Sequence, residues 1–185
     1  MNPIENEENW SSQPPIDAEE RWQALFRASV LTTTTNKFFN YIALADQKAQ
    51  GMVILNSIII PVALTWAEKP SFQYSALLSI ATSVISIFFA IMCIYPKRRK
   101  GRRPDGKPNL LHFNDIHRLS EQEFLEQFNP IVNSNSALCL ATVKDLHDIS
   151  LHVMRPKFFW LKAAYISFFI GNCLSLLTIL FNVLN

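Results

Sequence analysis

The chain has 185 residues, 49% of them hydrophobic and only 17% charged, with a formal net charge of +2. Soluble domains carry roughly 25% charged residues, so an ordinary water-soluble fold is disfavoured, and so small a net charge excludes the broad basic surface that nucleic-acid binding needs. The charge is also uneven: seven of the 17 Lys and Arg lie between Lys97 and Lys107, while acids gather over residues 5–20 and 121–126.

Residues 1–16 are polar and Pro-containing, which predicts a disordered tail. Asp17 is a good N-cap, and Glu19 and Glu20 suit the positive end of a helix dipole. A helix over 17–48 follows, with Trp22, Leu25, Phe26 and Ser29 on one face and a weak patch at Thr32–Thr35, since β-branched residues lose rotamer freedom in helices. No Gly or Pro intervenes before Gly51, so the same helix is expected to continue into a first span over 49–67, with Pro61 tolerated or kinking it. The first apolar stretch starts near Ala49, too late for a cleavable leader.

Glu68-Lys69-Pro70-Ser71 reads as a turn, flanked by Trp66 and Tyr74 at interfacial positions. The 24 residues Phe72–Tyr95 hold no charge. About 20 apolar residues at 1.5 Å rise cross a hydrocarbon core of about 30 Å, so this is a second span. Lys97, Arg98, Arg99, Lys100, Arg102 and Arg103 follow directly. Such a cluster sets topology and touches anionic lipid, which places residues 96–158 in the cytoplasm.

Within 96–158, Pro104–Pro108 is a loop by composition. Ser120-Glu121-Gln122-Glu123 is a capping box that opens a short helix to about Phe128, ended by Asn129-Pro130. A second long helix is expected from about Asn133, with Val143, Leu146, Ile149 and Val153 as its stripe and Pro156 kinking or interrupting it. A third span covers 160–184, with Lys157 and Lys162 at its cytoplasmic end. The expected fold is therefore all-α: three transmembrane helices with long helices extending into a small cytoplasmic helical part, N-terminus inside and C-terminus outside. A helix from Ala18 to Gln50 would reach roughly 50 Å below the bilayer.

Ser75, Ser79, Thr82 and Ser86 in the second span follow helical spacing, as do Ser167, Gly171, Ser175, Thr178 and Asn182 in the third. Close helix packing through small residues is the first expectation, and a pore lining or rearranging interface is the alternative. Asn56 needs a partner in hydrocarbon and suits a clamp between helices. Asp46 and Lys48 lie where the first span begins, as solvated interfacial charges or as a functional pair at a membrane hinge. His112, Asp115, His117, Asp145, His147, Asp148 and His152 invite a metal or hydrolase reading, but further ligands and a larger helical domain would be needed, and no metal site is expected. Cys93, Cys139 and Cys173 show no metal spacing and no disulfide framework.

The segment Leu44-Ala45-Asp46-Gln47-Lys48-Ala49 through Asn56-Ser57 is more specific than composition. An Ala-Asp-x-Lys-Ala run entering a span, with an Asn about eight residues later, resembles the Pycsar effector transmembrane proteins of bacterial antiphage defence. His112-Phe113 through Glu123-Phe124 is similar to that family's short cytoplasmic insert. Asp145–Ser150 through Lys157, Leu161, Tyr165, Phe168 and Gly171 is similar to its final long helix and last span. The resemblance covers roughly residues 20–182.

The resemblance implies a non-enzymatic effector of the bacterial inner membrane. A partner pyrimidine nucleotide cyclase would make cyclic CMP or cyclic UMP on infection. The effector would sense it without any cofactor, act as a homo-oligomer and impair the membrane, causing abortive infection. A cyclic nucleotide wants a cation for its phosphate and an amide or carboxylate for its base, which points to Asn114, Asp115, His117, Arg118, Lys144 and Asp148. The alternatives are a membrane-anchored scaffold and a phosphohydrolase using the His and Asp groups.

Overall fold

Long apolar runs with few breakers leave no room for strands. In the computed structural model, which describes residues 18–95 and 108–184, 91% of those residues are helical and none is in a strand. The expected tail over 1–16, the Asp17 cap, the basic run Lys97–Arg103 and the loop up to Lys107 lie outside the described residues. In chain order the elements are α1 (Ala18–Ala67), a 3₁₀ turn (Pro70–Phe72), α2 (Gln73–Ile94), α3 (Phe113–Ile116), α4 (Glu121–Val132), α5 (Asn135–Ile149), a π-turn (Ser150–Met154) and α6 (Arg155–Leu184).

The chain divides into two units between Thr34 and Thr35, and α1 crosses the division. In the first unit the helix carries a solvated ladder in which Arg27 donates to Gln23 at 3.2 Å. Thr34 turns its hydroxyl back to the Val30 carbonyl at 2.8 Å. That local bond is how the helix accommodates the four-threonine patch. Trp22, Leu25, Phe26 and Val30 are exposed there.

In the second unit α2 and α6 pack antiparallel. Ser86 Oγ donates to the Ala164 carbonyl at 3.0 Å, Ser175 Oγ to the Ser75 carbonyl at 3.0 Å, and Asn182 Nδ2 to the Ser71 carbonyl at 2.9 Å. A Cβ on Gly171 would overlap the Thr82 side chain, so this crossing needs glycine for closeness. Residues 45–63 of α1 dock on that pair through a face of buried Ala45, Ala49, Met52, Asn56 and Ala63. The core where they meet consists of Ala45, Ala49, Met52, Ala90, Cys93, Leu161 and Ala164, mostly small residues that let backbones approach. Apolar side chains point outward instead, Ile54, Ile58, Leu77, Ile91, Phe169 and Phe181 among them. The three helices are long and apolar enough to cross a membrane.

Three expectations about prolines meet different outcomes. α1 runs unbroken through Pro61. α4 does not stop at Phe128 but passes Pro130 to Val132. One missing N–H in a last turn removes only one bond, and the Asn133 N–H still reaches the Asn129 carbonyl at 3.1 Å. The next helix begins at Asn135 rather than Asn133, because Ser134 is its N-cap and accepts from the Ala137 N–H at 3.4 Å. Before Pro156 the helix widens into the π-turn, where the Arg155 N–H bonds to the Ser150 carbonyl, and then resumes as α6. Wider hydrogen bonding gives the proline ring room without breaking the rod.

Candidate functional site

Two polar knots organise the second unit, one between the spans and one outside them. The first centres on Asn56, which is fully buried. Its Nδ2 donates to the Met52 carbonyl at 2.7 Å and to Ser86 Oγ at 3.1 Å. Since Ser86 passes its own proton to the Ala164 carbonyl, one relay joins α1, α2 and α6. Below it, at the end of the bundle near Ile94, Asp46 of α1 forms an ion pair with Lys157 of α6. The Asp46 side chain is 30% exposed and that of Lys157 14%, so water screens the pair only in part.

The second knot centres on Asn109, only 3% exposed although it sits in a loop. Its backbone N–H donates to Asp115 Oδ2 at 2.8 Å. Its Nδ2 donates to Asp145 Oδ1 at 2.7 Å and, at the outer limit of bonding, to Asp148 Oδ2 at 3.5 Å. Its Oδ1 accepts from the Leu111 N–H at 3.2 Å, closing an Asx-type turn. One amide thus fastens the 108–116 loop to α5. Next to the loop, the Ser120 hydroxyl accepts from the Glu123 N–H while Glu123 Oε2 accepts from the Ser120 N–H at 2.9 Å, the capping box read from the sequence. The bond from the Ser120 backbone, and then that from its hydroxyl, holds the Glu123 carboxyl below its ordinary range.

Of the residues expected to bind ligand, Asp115 and Asp148 come together around Asn109. His117, Arg118 and Lys144 are exposed. Asn114 lies in α3, and its side chain is outside the described part. Lys48 is exposed and Asp46 pairs with Lys157 instead, so the structure replaces the expected Asp46–Lys48 hinge pair with an interhelical one. Adjacent residues two apart on a helix face different ways, whereas the turn of α6 brings Lys157 opposite. Gly171 and Ser175 are buried and Ser167 half-buried. His147 is exposed, and among the described residues no three His, Cys, Asp or Glu side chains are placed to hold a metal ion.

Sequence reasoning missed Asn109, the Lys157 partner of Asp46, and Ser83. The buried face of α2 is Ser75, Ser79, Ser83 and Ser86, with Thr82 only half-buried against Gly171. Spacings of 4, 4 and 3 would have found Ser83. Asn109 gives no such signal, because a single amide after Pro108 reads as an ordinary turn residue.

Three apolar spans stitched by hydroxyls and small residues, with a helical part continuing from the last of them, define an all-α multi-pass membrane protein. The chain belongs to the Pycsar effector family: the family model for the Pycsar effector protein domain matches residues 30–184. It is therefore an antiphage defence effector. No curated protein and no solved structure matches the chain.

Proposed function

We propose that this effector senses a cyclic pyrimidine nucleotide, cyclic CMP or cyclic UMP, supplied by a partner cyclase, and responds by impairing the bacterial inner membrane. The segment between α2 and α6 is then the cytoplasmic sensor, with the N-terminus inside and the C-terminus outside. The reading is of a non-enzymatic protein that works as an assembly of several copies. Family membership supports it, together with one structural observation: α5 passes through the π-turn into α6 without a break. A ligand that grips α5 pulls directly on a membrane span.

The chemistry assigns roles. Arg118 and Lys144, both exposed cations, would meet the phosphate. Asp115 and Asp148 would accept from the amino or imide N–H of a pyrimidine, with Asn114 and His117 as further polar contacts. Binding acts only if the nucleotide prefers one arrangement of the helices over another. Loading the carboxylates with a base would compete with Asn109, which supplies such a difference.

Calorimetric titration of the purified protein in lipid nanodiscs with each nucleotide tests this. Saturable binding of one is expected, and no binding of either at high-micromolar concentration overturns the reading. Replacing Arg118 or Lys144 by Ala should weaken binding roughly 10- to 100-fold, the worth of a charged hydrogen bond at about 1.5–3 kcal/mol. In cells, a membrane-potential dye should report depolarisation when the effective nucleotide is supplied.

A further inference from the structure

Asn56 is held with one end unpaired. Its Nδ2 faces the Met52 carbonyl, which only accepts, so the orientation of the amide is fixed and Oδ1 is the free end. Among the described residues that oxygen has no hydrogen-bond partner, and neither does Ser83 Oγ; both residues are at most 1% exposed. Buried polar groups in folded proteins are almost always hydrogen-bonded, so such atoms call for a partner. One of these atoms is on α1 and the other on α2. Ser83 is one turn of α2 from Ser86, about 4.5 Å along the axis, and Ser86 is the residue that Asn56 touches. The contacts Ser86–Ala164 and Ser75–Ser175 set the register of α2 on α6 and place Ser83 level with Ser167, another hydroxyl.

Few groups could serve these atoms. Enclosure by three helices keeps out lipid headgroups and any second copy of the chain. A bridging water at about 2.8 Å from each oxygen spans up to about 5.6 Å. Water donates to an amide oxygen, either donates to or accepts from a hydroxyl, and is small enough for an enclosed site. We propose that Asn56 and Ser83 form an internal water-binding site within the membrane-spanning bundle.

The test uses the full isotopically labelled chain in lipid bilayers and needs no nucleotide, so it stands apart from the function proposed above. Water-edited solid-state NMR follows polarisation from water protons to individual side chains. Transfer is expected at the Asn56 amide and at Ser83, and is expected to be lost at Met52 and Ala63 on the same face of α1. Asn56 as silent as Met52 overturns the proposal. In Asn56→Leu, transfer at Ser83 should also fall, because both share the site; a Ser83 signal at full strength there overturns it. Where that variant does not assemble, the comparison of Asn56 with Met52 in the unaltered chain decides.

Discussion

A buried asparagine ties each of the two polar knots, and their surroundings differ in kind. Asn56, between the spans, bonds only to a carbonyl and a hydroxyl and leaves one end unpaired. Asn109, outside them, uses both ends and sets its amine against two carboxylates. The difference follows from the medium. A carboxylate in a hydrocarbon-bounded bundle would lose its hydration and neutralise instead. Outside the spans, Asp145 and Asp148 are each part-exposed and turn one oxygen toward Asn109. Neutral partners make the inner knot insensitive to salt, whereas the outer knot is bonded to acidic side chains.

The largest expected effect breaks the inner region at its closest contact. Gly171→Ala places a Cβ inside the Thr82 side chain. Overpacking of this kind costs about 1–3 kcal/mol, read as a lower unfolding temperature in detergent. Thr82→Gly in the same background should recover part of the loss.

Asn109→Ala attacks the outer region. It strips a donor from Asp145 and Asp148 and should cost about 1–3 kcal/mol locally. Hydrogen exchange should rise over residues 108–116 and the first turns of α5, while the α2–α6 amides keep their protection. Uniform loss across both regions would show that the knots are one cooperative unit.

The Asp46–Lys157 pair stands between the two regimes, at the end of the bundle. Asp46→Asn should cost about 1–2 kcal/mol, above the range for exposed pairs and below that for fully buried ones. The swap of Asp46→Lys with Lys157→Asp should restore most of it. Salt should weaken this tie and leave the Asn56 relay unchanged.

The smallest effect is at the α4 cap. Glu123 is held below the ordinary carboxylate range by the Ser120 bonds. Its contribution is therefore complete above the unfolded Glu value of about 4.3. It is lost as pH falls through the lower folded value. Acid titration followed by NMR should show the first turn of α4 fraying in that window; Glu123→Gln should remove the pH dependence, and Ser120→Ala should only reduce it, because the backbone N–H at 120 still donates to Glu123.

Much of the architecture is legible in the sequence because spans and caps are local. Uncharged runs of sufficient length, small residues at helical spacing and the box at Ser120–Glu123 each carry their meaning within a few turns. The continuation of α1 from Ala18 into its span is equally readable, since no breaker intervenes before Gly51. The family resemblance, too, rests on residues that lie close together in the chain.

The partners were decided by tertiary structure alone. Asp46 looks toward Lys48 in sequence but meets Lys157, and Asn109 acquires its role only when α5 brings Asp145 and Asp148 to it. Such pairings depend on the register between helices far apart in the chain, which apolar periodicity leaves open by a turn or more. The uncharged run ending at Tyr95 by itself determines that the chain crosses a membrane, because hydrocarbon excludes charge whatever the fold. Which of its serines face inward, and that Asn56 keeps one oxygen unpaired, is decided only where three helices meet, because burial is a property of neighbours.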